Sequence, residues 1–251
     1  MQRYFVNQVK SDTVDKMTIT GEDVHHISTV MRMSPGDTII CCSKDEHSAI
    51  CEITEISNSQ VSCQIIEWLG TTNELPIKVT IASGLPKGDK LEIVIQKGTE
   101  LGAYKFIPFN AARSVVKVDQ KKEKKKMARW QKIAKEAAEQ SHRNVLPEVV
   151  SIKSFNELLR EGEHYDVRLI AYENSAKQGE KNRLVSALEG MRAGQSLLIV
   201  FGPEGGIAKQ EVTNLENAGF IACGLGPRIL RTETAPLYAL SAVSYYFELL
   251  R

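Results

Sequence analysis

Hydrophobic and polar positions follow two different spacings along the 251-residue chain. In its first part, short runs rich in β-branched residues alternate with turns: "RYFVN", "KMTIT", "TIICCS", "SAICEITEIS" and "QVSCQIIEWL". One helical segment, "GEDVHHISTVMRM", interrupts them and places Val24, Ile27 and Met31 on one face. The pattern predicts a small, mostly β domain over residues 1–70, followed by a linker at 70–76.

From residue 76 onward, apolar runs alternate with amphipathic segments of helical spacing. The runs are "IKVTIAS", "KFIPFN", "VRLIAYE", "SLLIVFG" and "FIACGLG". Because strands with continuous apolar character are buried on both faces, residues 76–251 are predicted to form a mostly parallel α/β sheet with helices on both faces. Ligands of such sheets bind beyond the carboxyl ends of the strands.

Two irregular loops follow strands of this predicted sheet. The first is "FGPEGG" (201–206), and the second is "GLGPRILRTETAPL" (224–237), in which Thr232 is predicted to cap the final helix. Their glycines allow positive φ and close approach of backbone N–H groups to a ligand. Alone, a glycine-rich turn between a strand and a helix is more often a structural element than a binding site. Two such loops at one sheet edge favour a shared pocket for a small ligand.

Charge is distributed unevenly along the chain. Residues 78–143 carry 16 Lys or Arg against 7 Asp or Glu, whereas residues 1–70 carry 5 against 10. The central surplus, which includes "KKEKKK" (121–126), indicates either a polyanionic partner or a solvated lysine-rich helix. Both interpretations remain open from charge alone.

Several classes of protein are disfavoured by the sequence. No apolar run approaches the roughly 20 residues of a membrane span, and the polar start "MQRYFVNQVK" is not typical of a signal peptide, so we expect a cytoplasmic protein without membrane contact. The five cysteines include no C-x-x-C pair and are predicted to be free and buried. The five histidines show no metal-ligand spacing, and no G-x-S-x-G nucleophile motif occurs.

Several motifs, in order, resemble those of a known enzyme class. They are "LPKGDKLEIVIQKGTELG" (85–102), "RSVVK" (113–117), "RWQKIAKEAAEQSHRNVLPEV" (129–149), "IVFGPEGG" and "LGPRILRTETA". The sequence is similar to SPOUT-class methyltransferases, and in particular to those that methylate N3 of uracil 1498 in 16S ribosomal RNA. "RYFV" and "HHISTVMRMSPGD" resemble the PUA-like RNA-binding β-barrel domain of that family.

The resemblance implies a trefoil knot formed by the C-terminal segment and a pocket for S-adenosylmethionine. It implies a homodimer acting on 16S rRNA, with the 30S subunit as the expected context. The cofactor-binding residues that it implies are Ala171, Tyr172, Glu173, Gly202, Pro203, Glu204, Gly205, Gly206, Leu225, Gly226, Ile229, Leu230, Arg231 and Ala235.

Methylation at N3 develops negative charge on O2 and O4 of the uracil, which cationic donors would stabilise. We therefore predict Arg113, Arg231 and Glu204 as catalytic residues, with Glu204 either a base or an orienting group. The predicted RNA-binding residues are Arg3, Arg32, Lys87, Arg113 and Arg143. Two alternatives remain: methylation of another RNA such as tRNA, and a non-catalytic RNA-binding assembly factor.

Overall fold

The computed structural model describes residues 1–11, 13–70, 72–116, 120–172 and 183–250, with only the backbone for 120–122. The chain divides into two compact units. The first contains Met1–Glu74 and Ala138–Leu146, and the second contains Leu75–Ala137 and Pro147–Arg251. The division after Glu74 falls within the predicted linker. Ala138–Leu146 belongs to the first unit, a long-range association that the sequence pattern did not indicate.

The first unit contains five strands and a short helical segment. Its elements are β1 (Arg3–Phe5), β2 (Lys16–Thr20), α1 (Glu22–His25), a π-helical turn (His26–Val30), β3 (Thr38–Cys42), β4 (Ser48–Ile56) and β5 (Gln60–Leu69). The five strands form one sheet in the order β1-β3-β4-β5-β2. Strands β1 and β3 are parallel, and the other described pairs are antiparallel.

The helical segment of the first unit departs from the predicted stripe. Val24 and Ile27 are buried, but Met31 is 37% exposed. The α-helix changes to π geometry after His25, and the wider π turn shifts the later side chains away from a 3.6-residue stripe. The prediction for Met31 was therefore wrong.

The second unit alternates strands and helices. Its elements are β6 (Lys78–Gly84), α2 (Lys90–Glu100), β7 (Lys105–Asn110), α3 (Gln120–Gln140, whose last turn lies in the first unit), β8 (Glu148–Val149), β9 (Lys153–Ser154), α4 (Phe155–Gly162), β10 (Val167–Ala171), α5 (Arg183–Glu189), β11 (Ser196–Phe201), α6 (Lys209–Asn217), β12 (Ile221–Cys223), α7 (Thr234–Ser244) and a π-helical turn (Tyr245–Leu249). The strands form a seven-stranded sheet in the order β12-β10-β11-β6-β7-β8, with β9 also paired to β7. Every described pair is parallel.

Both faces of this sheet are buried. In β11, Leu197 and Ile199 join a core cluster with α2, α3 and α7, whereas Leu198 and Val200 join a second cluster with α4 and α6. Successive strand residues point to opposite faces, so helices cover the sheet on both sides. The predicted mostly parallel α/β sheet is confirmed.

Three adjacent strands, β12, β10 and β11, end at one edge of this sheet. Because parallel strands share their carboxyl edge, the segments after Ala171, Phe201 and Cys223 emerge together.

The helix that follows the last of these segments starts differently from the prediction. Its N-cap is Glu233, and the first turn forms on the Arg231 carbonyl, which accepts from the N–H of Ala235 at 3.0 Å. Thr232 is therefore not the cap.

Candidate functional site

A cavity of about 710 Å³ opens at this carboxyl edge, within the second unit. Its volume lies in the range of small-molecule and cofactor sites. Its lining consists of Arg113, Ala171, Tyr172, Phe201, Gly202, Pro203, Glu204, Gly205, Gly206, Ile207, Lys209, Leu225, Gly226, Pro227, Arg228, Ile229, Leu230, Thr232 and Ala235. The two glycine-containing loops thus form one pocket, as the sequence pattern favoured.

Twelve of the fourteen predicted cofactor residues line this cavity. Arg231 is exposed and does not line it, and Glu173 lies outside the described residues. The prediction missed several lining residues, namely Phe201, Ile207, Lys209, Pro227, Arg228 and Thr232. Four of these, Phe201, Pro227, Arg228 and Thr232, lie within the two loops that the sequence identified, and Ile207 directly follows the first loop. Taking every residue of both loops and the next position would have found all of them except Lys209.

The first loop is closely folded on itself. A Cβ at Gly202 would lie 2.7 Å from the backbone nitrogen of Ile207, and Gly206 has a φ of +69°. The Gly206 N–H donates to the Pro203 carbonyl at 2.7 Å. Only glycine meets the steric demand at 202, because a side chain there would collide with backbone rather than with a movable group. In the second loop, Gly226 likewise has a φ of +93°.

Arg113 is fixed against the first loop. One of its guanidinium N–H groups donates to the Gly205 carbonyl at 2.8 Å. The buried Glu211 supports this arrangement, because its carboxylate accepts from the N–H of Ala112 at 2.8 Å and from the N–H of Ala208 at 3.0 Å. A single carboxylate therefore ties the Arg113 segment to the end of the glycine loop.

Glu204 is held by cationic and backbone donors. Its Oε1 accepts from Lys90 Nζ at 2.9 Å and from the Lys87 N–H at 3.1 Å. Partial burial alone would raise the pKa of Glu204, but these hydrogen bonds outweigh burial and lower the pKa below its usual value. A carboxylate with a lowered pKa is a weak base, so the structure favours the orienting role among the two that we predicted.

Comparison with known proteins identifies the chain. A family model for an RNA methyltransferase domain matches residues 73–244, and one for an RNA methyltransferase PUA domain matches residues 19–66. Ribosomal RNA small subunit methyltransferase E of Bacillus subtilis is 60% identical over 253 residues, covering 100% of this chain and 99% of that protein. The chain belongs to the ribosomal RNA small subunit methyltransferase E family.

Solved structures agree with this family assignment. A ribosomal RNA small subunit methyltransferase E from Neisseria gonorrhoeae bound to S-adenosyl methionine has a TM-score of 0.83 and 30% identity, over 98% of each chain. A methyltransferase from Legionella pneumophila in complex with the same cofactor has a TM-score of 0.81 and 29% identity, over 97% of each chain. The predicted fold class, a PUA-like domain followed by a SPOUT-type α/β domain, is thereby confirmed, and the family implies the C-terminal knot.

Two of the arginines that we predicted to bind RNA are buried in the first unit. Arg3 is 6% exposed and donates to the Asn144 side-chain oxygen at 2.6 Å and to the Arg143 carbonyl at 2.9 Å. Arg143 is 2% exposed and pairs with Glu74. Both guanidinium groups are buried and donate to acceptors within the first unit, which disfavours a direct contact of either with an RNA phosphate.

The other predicted RNA-binding residues are more accessible. Arg32 in the first unit and Lys87 in the second are exposed, and Arg32 has a φ of +54°, which is uncommon outside glycine.

Among the described residues, no cluster of three His, Cys, Asp or Glu side chains is suited to a metal ion. The same part of the chain contains no helix long and apolar enough to cross a bilayer.

Proposed function

We propose that the protein transfers a methyl group from S-adenosylmethionine to N3 of uridine 1498 in 16S rRNA, in the cytoplasm and within the 30S subunit. The observation that carries the proposal is the single cavity formed by both loops, in a chain of the methyltransferase E family. The relatives named for small-subunit ribosomal RNA support the substrate, and the cofactor-bound structures support the methyl donor.

The residues of the cavity fit this cofactor. Gly202, Gly206 and Gly226 bring backbone N–H and carbonyl groups to the wall without side chains in the way. Leu225 and Leu230 add apolar surface suited to an adenine ring. When bound, S-adenosylmethionine supplies an activated methyl group, which uridine N3 accepts after losing its imide proton.

The chain's own residues stabilise the charge that develops on the uracil. Arg113 and Arg228 line the cavity. The hydrogen bond to Glu204 raises the pKa of the neighbouring Lys90, and Arg231 is close enough to that ammonium group to oppose this shift electrostatically. Guanidinium donors aimed at O2 or O4 would favour the transition state over the neutral base. Since Glu204 already accepts hydrogen bonds from Lys90 and from the Lys87 N–H, we assign the imide proton to water.

We further propose that the enzyme is a homodimer. Three large side chains near the C-terminus are exposed, with Tyr238 at 40%, Tyr245 at 56% and Leu249 at 76%. Exposed aromatic and aliphatic side chains on one helical segment are typical of a protein interface. Light scattering coupled to gel filtration tests this directly, since a mass of one chain at micromolar concentration would contradict it.

The proposed reaction is tested by nucleoside mass spectrometry of small-subunit rRNA from cells with and without the gene. We expect 3-methyluridine to disappear from the deletion strain and to return with the wild-type gene, but not with Arg231→Ala. Loss of a different methylated nucleoside, in tRNA for example, would support RNA methylation by this protein but contradict 16S rRNA as its substrate. An unchanged nucleoside profile would favour the non-catalytic assembly factor.

A further inference from the structure

Lys90 lies between the two loops of the cavity without lining it. Its Nζ is 2.9 Å from Glu204 Oε1, in the first loop, and 3.8 Å from Glu233 Oε2, at the end of the second. Glu204 lines the cavity itself, and Glu233 follows the lining residue Thr232. One ammonium group is thus close to a carboxylate from each of the two loops.

We propose that Lys90 is a positioning residue of this site, whose ammonium group holds Glu204 and Glu233 and thereby fixes the spacing of the two loops that form the cavity. The proposal rests on the function proposed above, because the ligand whose binding would report that spacing is S-adenosylmethionine. Lys90, the last residue of the "LPKGDK" segment, does not line the cavity, so its positioning role is indicated by its contacts with Glu204 and Glu233.

The position of Lys90 is set by its own turn and helix. Gly88, with a φ of +63°, precedes the helix, and Lys90 is the first residue of α2. The N–H of Lys87 donates to the same Glu204 oxygen that accepts from Lys90. The start of α2 therefore contacts the first loop at two points, which gives a fixed base from which one side chain can reach the second loop.

Glu233 makes this arrangement sensitive to Lys90. Its Oε2 is buried and makes no hydrogen bond in the described structure, with the Lys90 ammonium 3.8 Å away. A buried carboxylate oxygen without a nearby cation is costly. Without Lys90, Glu204 and Glu233 would also lose the cation that lies near both, so their negative charges would repel and the loops would separate.

The effect should be larger in cofactor binding than in overall stability. The side chains of Lys90 and Glu204 are each 33% exposed, and pairs this accessible contribute little to unfolding free energies. A change of loop spacing, by contrast, alters every contact between the cavity and its ligand. A competing possibility is that Lys90 contacts RNA phosphate, in which case cofactor binding would not depend on it.

The experiment is calorimetric titration of S-adenosylmethionine into the full-length wild-type protein and three variants. We expect Lys90→Met to raise the Kd by about tenfold, equivalent to roughly 1.4 kcal/mol, and Lys90→Arg to restore it to near the wild-type value. Lys97→Met is the matched control, because Lys97 lies on the same helix and its ion pair among the described residues is local, with Glu100 at 2.8 Å. It should bind like wild type.

A Kd for Lys90→Met equal to that of wild type would overturn the positioning role, and a simultaneous loss of RNA affinity would assign Lys90 to phosphate instead. If Lys90→Met does not fold, Glu204→Gln and Lys90→Gln, alone and combined, provide the test, because residues acting through one contact should be non-additive in Kd. Additive effects would contradict the proposal. Failure of the wild-type protein to bind the cofactor would instead overturn the proposed function.

Discussion

Arg143 donates from Nε to Glu74 Oε2 at 3.0 Å, although 69 residues separate the two in the chain. Glu74 also accepts from the N–H groups of Asn144 at 2.8 Å and Val145 at 3.1 Å. One carboxylate therefore anchors the segment Ala138–Leu146 to the first unit. Arg143, which we predicted to bind RNA, is thus buried and paired with Glu74 inside the first unit, and a contact with RNA stays a prediction.

This pair predicts a large loss of stability on substitution. Arg143→Met leaves Glu74 mostly buried without its cation, and breaking such a pair costs about 3–5 kcal/mol in unfolding free energy. Urea denaturation measures the loss. Lys16→Met, which removes an exposed cation from the same unit, should change the free energy by less than about 0.5 kcal/mol. Equal effects of the two substitutions would show that the buried pair is not a major anchor.

The sequence predicted well the elements whose signal is local. Strands β5 (Gln60–Leu69) and β7 (Lys105–Asn110) begin and end where the runs "QVSCQIIEWL" and "KFIPFN" begin and end. Both runs are rich in β-branched or aromatic residues and are bounded by turns, so neighbouring residues alone determine them. The glycine loops were recognised for the same reason.

The sequence did not reveal contacts made across long separations. Lys90 and Glu204 are 114 residues apart, and no periodicity or motif joins them. The burial of Arg3 and Arg143 was missed for the same reason, because composition identifies a cation but not its partner. The capping preference of threonine predicted Thr232 as the N-cap of the final helix, but the N-cap is Glu233. The difference arises because the first turn forms on the Arg231 carbonyl, which accepts from the N–H groups of Thr234 and Ala235.

The contact between Arg113 and Gly205 predicts a selective loss of catalysis. A Cβ on Gly205 would lie 3.1 Å from the Arg113 Cβ, so Gly205→Ala should displace the Arg113 side chain by a fraction of an ångström. If Arg113 stabilises the charged uracil, the methylation rate at saturating cofactor should fall by about 10- to 100-fold. Single-turnover methylation of 30S subunits lacking the mark measures it.

Gly190→Ala is the control for this substitution. Its Cβ would make only ordinary contacts, the nearest 3.6 Å from the Ala187 carbonyl oxygen, and Gly190 lies in the same unit but outside the cavity. It should retain the wild-type rate. A Gly205→Ala enzyme with the wild-type rate would show that the position of Arg113 does not limit the reaction.

The ion pair between Lys105 and Glu161, 2.8 Å apart, predicts a pH-dependent contribution to stability. The hydrogen bond from Lys105 lowers the pKa of Glu161. A lowered folded-state pKa stabilises the protein above the unfolded value of about 4.3, and that contribution is lost as pH falls through the folded-state pKa. Glu161→Gln should therefore destabilise the protein at pH 7 and have a smaller effect at acidic pH.

Thermal or urea unfolding of Glu161→Gln and wild type across this pH range provides the measurement. Glu163→Gln, which removes an exposed carboxylate two residues away, should show a nearly constant difference from wild type. A Glu161→Gln effect that does not diminish toward acidic pH would mean that the loss arises from packing rather than from charge.

Arg32 remains the most accessible predicted RNA ligand of the first unit, and it predicts a change in the salt dependence of binding. Each phosphate contact contributes about 0.7–0.9 to the slope of log affinity against log salt concentration. Arg32→Gln should therefore weaken binding of an rRNA fragment and reduce the slope by about that amount. Glutamine is not expected to relieve or add to the strain of the +54° φ, so the change in slope reports the loss of the arginine charge.

Lys16→Gln is the control, because Lys16 is another exposed cation of this unit, and it should leave the slope unchanged if the contact is local to Arg32. Equal slopes for wild type and Arg32→Gln would remove Arg32 from the interface and leave the phosphate contacts to the basic residues of the second unit.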